Sequence, residues 1–290
     1  MPVSSMLGTS SRSAQNSAGP AYLCAFFSRR ASRWGNLQPV KLSLNLVLDI
    51  GNTRTKSGLF DDTRLVEQAI WPDWTLEELL SYGNQAGADR VLFASVAAPD
   101  PAAQRRLAET FAVALELTHE TPLPFRNRYR TPETLGRDRL AAVAGAQALF
   151  PGVNCLVIDC GTCIKYDLLL GEGVYAGGNI APGAVMRIRA MHAYTARLPE
   201  VPMQMPAEVI GDSTETALQN GALRGAALEI LGFVQAFAGR ANPLQVILSG
   251  GDAAFFAPFL PVPGLQVEPH LTLFGLNHIL RYNENQRHTP

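Results

Sequence analysis

Two stretches of this chain share one grammar. Residues 45–60, NLVLDIGNTRTKSGLF, read as an apolar strand ending in an acid, a tight glycine-containing turn, and a second strand returning. Residues 153–170, VNCLVIDCGTCIKYDLLL, read the same way. Asp49-x-Gly51-Asn52-Thr53 and Asp159-x-Gly161-Thr162 stand 110 residues apart, about the length of one domain. That interval predicts a duplicated α/β unit rather than a solenoid. Two similar halves imply a cleft between them.

The intervening pattern interleaves strands and helices, as an α/β protein requires. In the first half it predicts a helix over 76–85, a strand over 90–95, a helix near 102–114 and a Pro-rich irregular connection over 121–132. A helix then starts near Arg137. Its run Leu140–Leu149 is rich in small residues, as a helix packed closely against another element would be. The second half predicts a strand over 174–180, a helix from Gly183, a loop near 199–206, a long helix over 214–238, a strand over 244–248 and a last helix over 271–281.

The first 48 residues differ in kind, with five basic side chains and no acidic one, leaving the remainder with 19 basic against 25 acidic residues, net −6. Residues 1–43 are read as a disordered extension, with folding beginning near Leu44. Over the whole chain the formal charge is −1, which supplies no cationic field for nucleic acid or an anionic membrane. The apolar run Ala21–Phe27 is too short for a membrane span, no other stretch approaches 18 uninterrupted apolar residues, and the chain is expected in the cytoplasm. The 47% apolar content is ample for real cores.

Four cysteines, at 24, 155, 160 and 163, offer two decoys. Cys160-Gly-Thr-Cys163 has dithiol spacing, and Cys155-x4-Cys160-x2-Cys163 has the spacing of three iron–sulfur ligands. A cluster needs a fourth cysteine downstream, and none follows Cys163. A redox motif opens a helix, whereas this one follows an apolar strand. These are read as ordinary buried thiols. The five histidines show no ligand spacing.

Chemistry is expected at the turns. Glycine lets backbone approach a phosphate, N–H groups and a Thr hydroxyl donate to it, and a carboxylate holds Mg²⁺ through water. One Asp-x-Gly turn is equally a plain hairpin, but two facing one cleft point to nucleotide. Gly177–Gly183 leads into a helix N-terminus, and Ser249-Gly250-Gly251-Asp252 ends a strand at a place suited to ribose and base. There is no P-loop and no G-x-G-x-x-G motif. Asp138 and Arg139, side by side at a helix start, suit a base for a hydroxyl and a grip for a carboxylate. They are equally a capping acid beside a surface arginine.

The paired turns resemble the phosphate loops of the acetate kinase, sugar kinase, Hsp70 and actin superfamily. The ordered set Asp49–Lys56, Tyr129-x2-Pro132-x3-Gly136-x-Asp138-Arg139, Asp159-x-Gly161-Thr162, Gly177-Gly-x-Ile-x-Pro-Gly183, Thr195-Ala-x-Leu-Pro199 and Gly211-x-x-Thr214 resembles type III pantothenate kinase from about residue 45 to 252. The resemblance implies two duplicated ribonuclease H-like domains of actin-like ATPase fold, at 44–150 and 151–285, with a tail over 286–290. It implies transfer of the γ-phosphoryl group of ATP to the 4′-hydroxyl of pantothenate, the entry to coenzyme A synthesis.

Carried over residue by residue, the resemblance makes Asp49, Ile50, Gly51, Asn52, Thr53, Arg54, Thr55 and Lys56 the first ATP loop, with Asp49 acting on Mg²⁺ through water. Thr162 would touch ATP, and Asp159 would bind a monovalent cation, K⁺ or NH₄⁺. Asp138 would be the catalytic base, while Tyr129, Gly136, Arg137, Arg139 and Thr214 would hold pantothenate in a homodimer. One departure stands out: the family's second turn usually reads Asp-x-Gly-Thr-Ala-x-Thr-x-Asp, and here Lys165 replaces a hydroxyl residue. Lys165 either adds a cation to the site or points outward on a strand edge, and the outward reading is the expectation. The residues by themselves leave two alternatives, a kinase of another small hydroxylated acid or sugar and a non-catalytic regulatory protein on the same scaffold.

Overall fold

A computed structural model of the chain describes residues 44–51, 55–72, 74–95 and 101–287. The N-terminal extension, the last three residues and the predicted site residues Asn52, Thr53 and Arg54 lie outside the described residues. From Leu42 onward the chain forms one compact unit.

The first repeat is a meander of β1 (Leu44–Ile50), β2 (Thr55–Asp61) and β3 (Arg64–Trp71), all antiparallel. Helix α1 (Leu76–Ala86) leads to β4 (Ala88–Ser95), parallel to β1, and α2 (Pro101–Thr110) leads to β5 (Val113–Glu116), parallel to β4. The sheet order is β3-β2-β1-β4-β5.

The second repeat uses β7 (Asn154–Cys160), β8 (Cys163–Leu170) and β9 (Val174–Pro182) as the meander, then β10 (Leu244–Ser249) and β11 (Gln266–Val267) as the parallel additions. Its order, β9-β8-β7-β10-β11, reproduces the first sheet, with the two-residue β6 (Arg126–Asn127) joined beyond β9. The duplication expected from the two turns is therefore a duplication of topology.

Helices α3 (Arg137–Leu149) and α8 (Leu271–Arg287) lie together between the sheets, α8 against β1, β2 and β4 and α3 mainly against β7 and β8. Their axes approach closely because small residues meet at the crossing. A Cβ on Gly275 would stand 1.7 Å from the Ala141 carbonyl oxygen, and one on Gly145 would stand 2.2 Å from that of Leu271. The small-residue run around Leu140 is thus a packing surface, as its composition predicts.

Alternation along β7 shows the second sheet covered on both faces. Cys155 and Val157 join the core shared with α3 and α8, while Leu156, Ile158 and Cys160 join a second core. That second core is built by α4 (Ala184–Ala193), by the run α5 (Thr214–Gln219), π turn Asn220–Arg224 and α6 (Gly225–Ala238), and by α7 (Ala253–Phe256). The stretch Thr214–Ala238 is long and apolar enough to cross a membrane by length and composition. Here Leu218, Leu223 and Ile230 are in the second core, and Glu229 accepts hydrogen bonds from Tyr166 (2.9 Å) and Arg187 (2.7 Å).

Candidate active site

Strand direction brings the acids together. Asp49 and Asp159 occupy equivalent places near the carboxyl ends of β1 and β7, the central strands of their sheets, and that is where ligands meet α/β sheets. Asp138 stands in the first turn of α3, and one of its oxygens accepts the Arg139 backbone N–H at 2.9 Å. Asp49 lies near enough to Asp138 and Asp159 for their negative charges to act on it. The two turn acids and the helix acid therefore converge, as the sequence predicts.

The outward expectation for Lys165 is overturned. Its Nζ donates to Asp138 Oδ2 at 2.6 Å and to Asp159 Oδ2 at 2.7 Å, with the side chain 19% exposed. The reason is register: Lys165 is the cross-strand partner of Asp159, and opposed residues of an antiparallel pair project to the same face. On β8 that face looks at α3, and the next residue along it, Asp167, meets Arg139. Burial works against the ammonium's charge, but Asp159 and Asp138 outweigh it and hold its pKa above the ordinary lysine value. Asp49 has an analogous partner, Lys56, opposite it on β2. Burial nonetheless prevails over that lysine, and the Asp49 carboxyl is pushed up to about 6.

The second turn is enclosed by backbone. The Gly183 N–H, at the start of α4, donates to the Thr162 carbonyl at 3.1 Å, while Thr162 itself is exposed. Gly250, at φ +92°, lies over Asp159: a Cβ there would stand 2.4 Å from Asp159 Oδ1 and 2.3 Å from the Cys160 carbonyl oxygen. The Asp252 N–H donates to that same carbonyl at 2.9 Å. The turns following β7 and β10 thus lie side by side, as expected of parallel neighbours.

Arg139 requires a correction. Expected to grip a substrate carboxylate, it is 4% exposed and already committed, with Nη2 on Asp167 Oδ1 at 2.6 Å and Nε at 3.0 Å. Tyr175 donates to the same carboxylate oxygen at 2.6 Å, and the Tyr129 ring stacks on Tyr175 beneath the guanidinium. The Arg139 guanidinium is thus held between Asp167 and the Tyr129 ring. Arg137 is also engaged, donating to the Ser95 carbonyl (2.6 Å) and to Glu116 (3.2 Å).

Beside Tyr129 opens a cavity of about 550 Å³ lined by Arg128, Tyr129, Arg130, Thr131, Ala176, Gly177 and Gly178. Arg128 and Arg130, exposed cations that the motif reading passed over, flank it. Of the other predicted residues, Ile50, Gly51 and Lys56 are half-buried, and Thr55 is fully buried with its hydroxyl unpartnered. Gly136 precedes α3, and a Cβ on it would stand 2.5 Å from Asp138 Oδ1. Thr214 stands exposed at the start of α5, on the layer behind the second sheet.

The cysteines behave as plain thiols. Cys155 and Cys160 are buried and unpaired, and burial pushes the Cys155 thiol up to about 12. Cys163 is half-buried, and Cys24 lies outside the described residues.

Two copies of one topology, with both turn acids near a third acid at a helix start, define a duplicated α/β protein whose acids gather at the carboxyl ends of its central strands. A solved structure of a Baf family protein from Campylobacter jejuni agrees in fold, at TM-score 0.55 and 21% identity over 83% of this chain and 99% of that one. A family model described as type III pantothenate kinase matches residues 45–236. Proteins so named from Bacteroides fragilis and Phocaeicola vulgatus are 40% and 39% identical, over 84% and 83% of this chain and 100% and 99% of their own length. The chain belongs to the type III pantothenate kinase family, and it is a pantothenate kinase.

Proposed function

We propose that this enzyme transfers the γ-phosphoryl group of ATP to the 4′-hydroxyl of pantothenate, the first step of coenzyme A synthesis, with Asp138 as general base. The position of Asp138 carries the reading: it is a half-buried carboxylate beside both turn acids, next in the chain to Arg139, whose guanidinium lies over the Tyr129 ring that lines the cavity. Each Asp138 oxygen already accepts one hydrogen bond, from Arg139 N–H or Lys165, which fixes the carboxylate plane and leaves a lone pair for a hydroxyl proton. Phosphoryl transfer asks for alignment and charge neutralisation more than covalent work, which suits a site of this kind.

The residues present fit Mg²⁺ held through water. Asp49 is a carboxylate whose burial raises its pKa, so a cation would relieve it, while no cluster of three or more His, Cys, Asp or Glu that could hold a metal occurs among the described residues. When bound, Mg²⁺ would neutralise charge on the phosphates. The first loop, Asp49 to Lys56, and Thr162 would line the triphosphate. Tyr129, Gly136 and the cavity beside them would hold pantothenate, with Arg128 and Arg130 facing its carboxylate and Arg139 keeping Tyr129 in place through Asp167.

They do not fit a free monovalent cation on Asp159, because the Lys165 ammonium already occupies that carboxylate. We read the two sheets as two ATPase-fold domains, 44–150 and 151–285, and the enzyme as a cytoplasmic homodimer. Thr214, on the far layer, would reach a pantothenate pocket most directly in a second copy. Asp138→Asn should lower turnover by about 10²–10⁴-fold while leaving ATP and pantothenate binding intact. Loss of binding in that variant, measured by calorimetry, would overturn the role.

A further inference from the structure

We propose that Lys165 is a built-in cation: its ammonium occupies the place at Asp159 that a dissociable monovalent cation would need, ties Asp159 to Asp138, and frees turnover from any requirement for K⁺ or NH₄⁺. The proposal rests on the kinase reading above. Three observations converge on it. The ammonium contacts both carboxylates at 2.6 and 2.7 Å, the short range of charge-assisted hydrogen bonds. The Asp159 carboxylate already holds a cation, since its Oδ2 accepts from Lys165, and Gly250 packs so near its Oδ1 that a Cβ there would stand 2.4 Å away. The lysine is also held from below, since Asp159 opposes it in the β7–β8 ladder and Ile164 and Tyr166 on either side are fully buried in the second core.

A tethered ammonium differs physically from a bound ion. It cannot be washed out, its position is set by the strand, and its occupancy does not vary with salt. It has three N–H donors, of which the two acids take two, leaving one for an anionic oxygen entering between them. A second cation on the same carboxylate would meet the ammonium's charge at close range in a partly buried site. Lys165 is accordingly a positioning residue for Asp138, and it lies six residues after Asp159, in the same hairpin.

The test exchanges the monovalent cation at constant ionic strength. Wild-type turnover, with ATP, Mg²⁺ and pantothenate, should agree within about twofold in potassium, ammonium, sodium and tetramethylammonium chloride. Lys165→Thr should fall by about 10²-fold or more in tetramethylammonium and recover at least tenfold in potassium or ammonium, a rescue that a merely structural role would not give. A second readout is independent of activity: thallium-205 NMR should show no saturable Tl⁺ binding to the wild type and saturable, K⁺-displaceable binding to Lys165→Thr. A wild-type enzyme that needs K⁺, or that binds Tl⁺ saturably, overturns the proposal. If Lys165→Thr does not fold, the two wild-type measurements decide alone. If the wild type lacks pantothenate-dependent turnover in every salt, the kinase reading fails and the Tl⁺ result still judges the built-in cation.

Discussion

Asp49 should destabilise the ligand-free protein, and replacing it with asparagine should show by how much. Burial lifts its carboxyl from 3.8 to about 6, with Asp138 and Asp159 adding to the rise and Lys56 and Lys165 opposing it. A shift of that size corresponds to about 3 kcal/mol, which partial hydration of a half-buried group reduces to about 2 kcal/mol. The sign follows from proton counting. Between about pH 4 and 6 the folded protein holds a proton that the unfolded chain has released, so stability falls as pH rises through that window. Below it both states are protonated and the penalty is absent; above about pH 7 it is complete. Asp49→Asn should therefore raise the unfolding free energy by about 2 kcal/mol at pH 8 and by little at pH 4, with an unchanged denaturant slope in urea titrations followed by circular dichroism. Turnover should be lost in the same variant. A variant less stable than wild type at pH 8, or a difference that does not vary with pH, would refute the reasoning.

The buried Arg139–Asp167 pair and the thiols give two further tests. Asp167→Ala strands the Arg139 guanidinium in a site 4% exposed. It should cost about 3–5 kcal/mol of stability, seen as a lowered thermal midpoint, and should raise the KM for pantothenate as Tyr129 loses its support. Of the cysteines at 155, 160 and 163, only Cys163 should react with an aromatic disulfide reagent before unfolding, because the other two are fully buried. Peptide mapping of the labelled protein checks the order.

The duplicated hairpins were legible because each prints a complete local signal, an apolar strand closed by Asp-x-Gly, and the small-residue run in α3 announced its tight crossing with α8. Four strands were not. β3 carries no turn motif and lies at a sheet edge, and β6 and β11 have only two residues each. β5 was absorbed into the helix expected over 102–114, since Ala112-Val113-Ala114 suits either state; the helix ends at Thr110. The errors at the site have a common origin. Arg139 finds Asp167 28 residues away, and Lys165 finds Asp138 27 residues away, contacts made by laying α3 across the β7–β8 hairpin. Which face Lys165 takes was nonetheless recoverable, because placing the hairpin turn at Gly161-Thr162 fixes the register that opposes Lys165 to Asp159.

Phosphoryl transfer to pantothenate is tested most directly by one measurement, ADP release with ATP and Mg²⁺ in the presence and absence of pantothenate, run beside mass spectrometry of the acceptor. Wild-type protein should form ADP only with pantothenate, matched one to one by 4′-phosphopantothenate, and Asp138→Asn should bind both substrates yet form about 10²–10⁴-fold less of each product. ADP formed without phosphorylated pantothenate, or full turnover by Asp138→Asn, would contradict it.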